Sequence, residues 1–278
     1  MRARIELRLR KQLRRIRPSG PALVAILNRH ERSGVSLESA SRRVILDPAA
    51  GWYLRGFAAR VLALADARGA VRSLLDLFFV QTDKIELWET ALTIEHLGDR
   101  AAVRPLAEAL YDSNPNRRHA AARALGWIPK AGRRAAKALV GALRDKSQPQ
   151  PVREEAAESL AHLGYAGAIP ALILVLDEPN VSLRFWAVFA LGGIGQRQIY
   201  AQRGSADRRI VEALEKMLSD AEVAPGNWWS VGKEALAMLG QLEPRYRAEL
   251  DSETERVLRD PKSSAEDRRW AEGYGVRS

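Results

Sequence analysis

The sequence predicts an all-α fold, an α-solenoid (superhelix) of about seven helix pairs with irregular terminal caps, and three observations lead to it. One pattern of two short helices recurs along most of the 278 residues. Apolar residues follow a helical period within each copy. The copies are spaced by about 30 to 45 residues, which is typical of stacked repeats, because a single helix pair cannot bury its own apolar stripe.

The clearest copy of this pattern runs from residue 151 to residue 177. Apolar side chains at i, i+4, i+8 and i+11 from Val152 form one stripe of the first helix. Gly164 stands where a helix ends in a left-handed residue, and Pro170 falls in the first turn of the second helix. Steps of 32, 31, 35, 31 and 45 residues separate the equivalent positions, which are Leu62, Ile94, Leu125, Leu160, Leu191 and Leu236. Residues 195–206 account for most of the longest step, and we expect a surface loop there.

The segments VREEAAESLAHLG…AIPALILVLD and LRFWAVFALGGIG resemble HEAT-like repeats of the phycobilisome-lyase type. The resemblance covers roughly residues 54–260. It implies an α-solenoid in which one helix of each pair lines an inner, concave surface, and the helices aligned above would form that layer. Proteins with such repeats include bilin-lyase subunits and adaptors. No segment matches a bilin-lyase functional motif beyond the repeat itself, so the resemblance leaves the function open.

We expect four segments along the chain. They are a basic amphipathic N-terminal helix at 1–17, a degenerate N-terminal helical cap at 18–50, the HEAT-like repeat array at 51–260 and a C-terminal cap at 261–278. Terminal repeats are often irregular because one of their faces meets solvent.

Most of the net charge of +10 lies at the N-terminus. Residues 1–17 carry eight basic side chains and one acidic side chain, a sum of +7, whereas the other 261 residues carry 36 basic and 33 acidic side chains. This segment would cap the first repeat, contact an anionic surface of lipid, acidic protein or nucleic acid, or serve as a transit-type signal. The nearly balanced repeats argue against a solenoid that grips nucleic acid along its inner face.

Aspartates recur at the turns between helices, and arginines follow several of them in the next helix. A turn aspartate can accept N–H bonds at a helix start and pair with an arginine of the next layer. We therefore predict a structural ladder composed of Asp112, Asp145, Asp177, Arg118, Arg153 and Arg184.

Large aromatic residues occupy positions that should point away from the core. In the copy at 151–177 these outward positions are 154, 155, 158 and 162, and the equivalents in other copies hold several tryptophans. Exposed apolar area is unfavourable unless a partner covers it. We predict a partner-binding face with Trp88, Trp127, Trp186, Phe185 and Phe189 as anchors and Arg60, Arg123 and Glu155 as polar rim. The alternative is that these rings pack between adjacent repeats.

Catalytic and cofactor chemistry have little support in the sequence. The chain has no cysteine, no glycine-rich phosphate loop, no nucleophile elbow and no HExxH motif. Three of its four histidines take outward positions, but repeats spaced by ~10 Å hold most of them too far apart for one metal ion. We therefore expect no catalytic residue, no metal and no cofactor.

The function we predict is a non-catalytic scaffold or adaptor that binds a peptide or helix of a protein partner. One alternative is a nucleic-acid-binding or DNA-processing solenoid, and another is a bilin-lyase-like chromophore chaperone. No apolar run approaches the ~18 residues of a membrane span, and the composition predicts a cytoplasmic protein.

Overall fold

The computed structural model describes residues 37–47, 50, 52–128, 131–202, 204–227 and 229–274. The predicted helix at 1–17 and most of the predicted cap at 18–50 lie outside these residues. Within the described part, every regular element is helical apart from one bridge between Val223 and Ser230. The predicted all-α fold is thus confirmed.

The chain forms two compact units, Met1–Ala135 and Ala136–Ser278. The helices described in the first unit are α1 (Leu37–Leu46), α2 (Trp52–Val80), α3 (Lys84–Leu97), α4 (Val103–Ala109) and α5 (Pro115–Trp127). Helix α6 (Gly132–Arg144) crosses the boundary in sequence. The second unit continues with α7 (Gln150–Leu163), α8 (Ile169–Val175), α9 (Val181–Gln202), α10 (Arg208–Met217), α11 (Val231–Leu242), α12 (Pro244–Arg259) and α13 (Ala265–Tyr274). Short 3-10 helices at Arg100–Ala102 and Ala166–Ala168 lead into α4 and α8.

Short polar residues cap the start of several helices, and a glycine ends two of them. Asp83 caps α3 by accepting hydrogen bonds from the backbone N–H groups of Ile85 and Glu86, at 2.8 and 3.0 Å. Gly98 and Gly164 end α3 and α7 in the left-handed conformation, with φ of 65° and 62°. The predicted role of Gly164 is confirmed.

The core of each unit is built from the aligned apolar stripes. All six equivalent positions of the repeat, from Leu62 to Leu236, are buried. Runs of buried alanine, such as residues 120–122 in α5 and residues 156–157 in α7, have little side-chain bulk. Neighbouring helices within a unit can therefore approach closely and cover these stripes.

Two stretches differ from the repeat pattern. Helix α2 is continuous over 29 residues where the period predicts a pair of helices, and no proline lies between Pro48 and Pro105 to interrupt it. The expected surface loop at 195–206 is mostly helical, because α9 continues to Gln202. The additional residues therefore lengthen a helix, and the loop that follows is short.

Buried arginines near the starts of four helices, α2, α5, α7 and α9, form hydrogen bonds to a preceding turn or helix end. In the first unit, Arg55 donates two hydrogen bonds to the carbonyl oxygen of Asp47, at 2.9 and 3.2 Å. Arg117 donates to the carbonyl oxygens of Phe78 and Gln81, at 3.2 and 2.6 Å, and forms an ion pair with Asp112 at 2.7 Å. These bonds hold the start of α5 against the end of α2.

The same device occurs in the second unit. Arg153 donates to the carbonyl oxygen of Leu143 at 2.9 Å and to both carboxylate oxygens of Glu178, at 2.8 and 2.6 Å. Arg184 donates to the carbonyl oxygen of Glu178 and pairs with Asp220, both at 2.9 Å. Each of these arginines therefore joins the turn before it to the turn after it.

The observed ladder corrects part of the predicted one. Asp112, Arg153 and Arg184 take part, but Arg117 fills the place assigned to Arg118 because its side chain reaches the carbonyl groups at the end of α2. Asp145 accepts hydrogen bonds from Ser147 within its own turn. Asp177 is exposed, and the next residue, Glu178, is the one that reaches Arg153.

Candidate protein-binding surfaces

One face of α5 and the adjacent face of α3 bring aromatic and charged side chains together in the first unit. The α5 residues at 119, 123 and 127 follow each other at i, i+4 and i+8, so they share one helical face. We call the set the Trp88 cluster, and its members are Trp88, Glu95, His119, Arg123 and Trp127.

Arg123 is the centre of the Trp88 cluster. The carbon of its guanidinium group lies 4.2 Å from the ring centre of Trp127 and 5.5 Å from that of Trp88. Its Nε lies 3.6 Å from a carboxylate oxygen of Glu95. Cation–π contacts of this kind contribute roughly 0.5–2 kcal/mol each, so both indole rings are held in place. The imidazole of His119 extends the row, with its ring centre 5.1 Å from that of Trp88.

The indoles of the cluster are only partly buried. Trp88, Trp127 and Arg123 all have intermediate exposure, whereas the apolar residues between them on α5, such as Ala124 and Leu125, are fully buried. The cluster therefore presents fixed aromatic area to solvent, and a partner that covers this area would not have to order the rings first.

A second aromatic set lies in the second unit, on α7 and α9. The rings of Phe185, Trp186 and Phe189 meet edge to face, with ring centres 5.6 and 5.7 Å apart. His162 lies 6.4 Å from the Phe189 ring centre and 3.6 Å from the carboxylate of Glu158. We call this set the Trp186 cluster; Trp186 and Phe189 are half-buried in it.

Two of the predicted binding residues are not exposed. Phe185 and Glu155 are buried, so neither can act as an exposed anchor or rim residue. Both lie on faces that turn towards neighbouring helices, because the outward surface of a repeat helix is narrower than the four positions assigned to it. The side chain of Arg60 lies outside the described part of the structure.

The sequence patterns above do not point to Glu95 or Glu234. Glu95 on α3 pairs with Arg123 on α5, and the spacing of residues within one helix does not predict a contact between two helices. Glu234 occupies the position of α11 that corresponds to Glu158 in α7, so the repeat alignment could have identified it.

Glu234 is a buried carboxyl group surrounded by aromatic residues. It accepts a hydrogen bond from the indole N–H of Trp229 at 2.7 Å, and the Tyr274 hydroxyl lies 3.4 Å from both of its oxygens. Burial raises the pKa of Glu234 to about 7, although the two donors act in the opposite direction. Because this group is 1% exposed, it has no access to a substrate.

The residues that the structure describes contain no group of three or more histidine, aspartate or glutamate side chains that could hold a metal ion. None of the helices in that part of the chain has an apolar stretch long enough to cross a membrane.

Comparison with known families identifies the repeats. HEAT repeats match residues 81–161, and the PBS lyase HEAT-like repeat matches residues 152–178 and 183–220. The chain therefore contains HEAT-like repeats of the predicted type. No curated protein matches it at a significant level.

Several solved structures resemble this chain at low identity. An archaeal HEAT-like repeats protein from Thermococcus onnurineus NA1 is 16% identical with a TM-score of 0.48, over 86% of this chain and 95% of that one. The complex of CpcE and CpcF of phycocyanin lyase from Nostoc sp. PCC7120 is 19% identical with a TM-score of 0.45, over 84% and 92%. Human deoxyhypusine hydroxylase is 20% identical with a TM-score of 0.33, over 90% and 97%. Likenesses at this level carry no argument about activity.

Proposed function

We propose that this chain of HEAT-like repeats is a non-catalytic, cytoplasmic scaffold that binds a peptide or helix of a protein partner. The Trp88 cluster is the principal contact surface in the proposal. The observation that carries it is that two half-exposed indoles are fixed by one shared guanidinium group. The Trp186 cluster is proposed as a separate contact surface of the second unit.

Aromatic side chains that remain partly exposed on a rigid framework are typical anchors of protein interfaces. Tryptophan and arginine are enriched among the few residues that contribute most of the binding free energy. Because Arg123 already restrains both rings, less conformational entropy is lost when a partner covers them. A short apolar segment of the partner would cover the indoles, and its polar groups would meet Arg123, Glu95 and His119 at the edge.

The charges of the Trp88 cluster favour a protein partner over nucleic acid. Binding to a phosphate backbone depends on cations that replace condensed counterions. Arg123 is the arginine between the two indoles, and it is paired with Glu95. A carboxylate at that place would repel phosphate, whereas a peptide with mixed polar groups can use both charges.

Replacement of Trp127 by alanine tests the proposal. The full chain and its Trp127→Ala variant are each immobilised and exposed to an extract of the native host. Captured proteins are identified by mass spectrometry, and the main one is purified and titrated against both chains. We expect at least a tenfold weaker Kd for the variant, because loss of an interface anchor typically removes more than ~1.4 kcal/mol. Its circular dichroism spectrum should be unchanged.

Leu174→Ala is the matched control, since Leu174 is an exposed apolar residue on α8 and is not a member of the cluster. Its Kd should stay within twofold of the wild type. Equal affinity of the Trp127→Ala variant and the wild type for the same partner would contradict the proposal. Capture that disappears on nuclease treatment would replace it with a nucleic-acid function.

A further inference from the structure

The end of α2 and the start of α3 expose apolar side chains outside both aromatic clusters. Phe79 is 40% exposed, Val80 is 74% exposed and Ile85 is 66% exposed. We call these three residues the α2–α3 patch. They lie around the turn at residues 81–83, which Arg117 and Asn114 hold from the side of α5 through hydrogen bonds to its carbonyl groups. The patch is thus a fixed apolar surface that no described element covers fully.

Exposed acidic side chains lie close to the α2–α3 patch along the chain. Residues 73–99 contain six acidic side chains and one lysine, a sum of −5 within a chain whose net charge is +10. Asp76, Asp83 and Glu86 are exposed next to the patch. Burial and the neighbouring charges of Glu86 and Asp83 raise the pKa of Glu89, although Arg55 acts in the opposite direction. Acidic side chains outnumber basic ones in this stretch, so a cationic ligand would be favoured there.

The complementary pattern lies in residues 1–17 of the same chain. Apolar residues at 5, 9, 13 and 16 follow one helical stripe, and eight basic side chains flank it, with a sum of +7. A helix of 17 residues is ~25 Å long. The 19 residues between this segment and α1 can span up to ~60 Å when extended, which exceeds the ~43 Å length of the 29-residue α2.

We propose that residues 1–17 dock on the α2–α3 patch. Leu9 and Leu13 of the N-terminal segment cover Val80 and Ile85, and the arginines around them pair with Asp76 and Glu86. In this proposal, the anionic surface that the basic segment contacts belongs to the same chain. It is independent of the Trp88 cluster and of the partner proposed for that cluster.

The absence of cysteine from the chain permits a direct test by cross-linking. The full-length Leu13→Cys/Val80→Cys variant is oxidised under mild conditions at micromolar concentration, and the disulfide is measured by mass spectrometry of peptides. We expect an intramolecular disulfide between positions 13 and 80, formed at least five times faster than in the control pair.

The control pair is Leu13→Cys/Leu46→Cys. Leu46 is 51% exposed and lies closer to residue 13 along the chain, so a segment that diffuses freely on its tether would reach it sooner. A disulfide at position 46 that forms as fast as the one at position 80, or faster, would overturn the proposal. A disulfide between two chains would also overturn it and assign the patch to a second copy.

The electrostatic part of the proposal has its own test. Asp76→Lys and Glu86→Lys are added together to the Leu13→Cys/Val80→Cys variant; both side chains are exposed, and an unchanged circular dichroism spectrum verifies the fold. The rate of cross-linking should fall at least fivefold. Addition of 0.5 M salt should also lower the rate for the Leu13→Cys/Val80→Cys variant that keeps Asp76 and Glu86. A rate that neither charge reversal nor salt changes would show that these acids do not bind the segment.

Discussion

Arg123 stabilises two tryptophan rings that are only partly buried. Two tryptophans at outward positions would be a large exposed apolar area if they stood alone. With the guanidinium group between them and Glu95 behind it, one face of each ring has a cation to contact, and the rest remains available. At the residue scale, the same indole ring can therefore pack against Arg123 on one side and remain available to a partner on the other.

Glu234 gives a prediction at the same scale. Its pKa is about 7 in the folded protein and near the ordinary value of 4.5 in the unfolded chain, so the folded protein holds more protons between these values. The free energy of unfolding should fall as pH rises from about 4.5 to 7, by about 3 kcal/mol in total, and stay level above that. Glu234→Gln keeps an acceptor for Trp229 without the charge, and should remove this loss.

Urea denaturation of both chains between pH 4.5 and 8.5 measures the difference. The Glu234→Gln chain should be the more stable one at pH 8 and should lose its advantage near pH 4.5. Glu253→Gln is the control, because Arg256 holds the pKa of Glu253 below its ordinary value. A stability difference between Glu234→Gln and wild type that does not vary with pH would contradict the assignment.

At the scale of elements, close contacts between a helix and a neighbouring turn depend on glycine, which has no side chain. Gly232, in the first turn of α11, donates a hydrogen bond from its N–H group to the carbonyl oxygen of Asp220 at 2.8 Å. A Cβ atom on this residue would lie 2.6 Å from the carbonyl oxygen of Leu218. That oxygen belongs to the backbone and cannot rotate away. The same turn carries the carboxylate that binds Arg184.

Two glycine-to-alanine substitutions should therefore act in opposite directions. Gly232→Ala should lower the free energy of unfolding by about 2 kcal/mol, since overpacking against a fixed group costs roughly 1–3 kcal/mol. A Cβ atom on Gly273 in α13 would have no other atom within 4 Å. Gly273→Ala should therefore raise the free energy of unfolding by up to ~1 kcal/mol, because alanine has the higher helix propensity. Thermal and urea denaturation would measure both; a neutral Gly232→Ala variant would show that α11 can shift.

The elements that were predictable from sequence are those set by local chemistry. The apolar stripe at the positions of Leu160 and Leu191 and the left-handed Gly164 follow from spacing and residue type alone. The continuous α2 and the helical extension of α9 differ from the prediction. The repeat pattern predicts an interruption of the helix in both places, but no proline is present to interrupt it. Glu155 and Phe185 were misplaced because the width of the exposed face depends on how neighbouring helices pack, which one helix cannot reveal.

For the whole molecule, each repeat is stabilised mainly by its neighbours. In a repeat array, stability is approximately a sum of repeat terms and nearest-neighbour terms, so a local defect should remain partly local. The two compact units divide the chain near Ala135, and each has its own buried stripe.

Leu191→Ala tests this expectation by creating a cavity in α9. Loss of a buried leucine side chain costs about 2–5 kcal/mol. Amide hydrogen exchange measured by mass spectrometry should accelerate most in α7, α9 and α11, and least in α3 and α5. Leu125→Ala in α5 is the reciprocal control and should show the opposite order. Equal acceleration throughout both variants would indicate that the chain opens as a single cooperative unit.

The buried arginines have a consequence for how such a chain can change length. Glu178 gives its carboxylate to Arg153 and its backbone carbonyl to Arg184, which lies 31 residues after Arg153. Duplication or deletion of a segment that runs from one of these arginines to the next leaves every donor with an equivalent acceptor. A cut that separates one of these arginines from its acceptor groups would leave a guanidinium group unpaired inside the protein, whereas added residues between them, such as the extension of α9 to Gln202, leave the series of contacts intact.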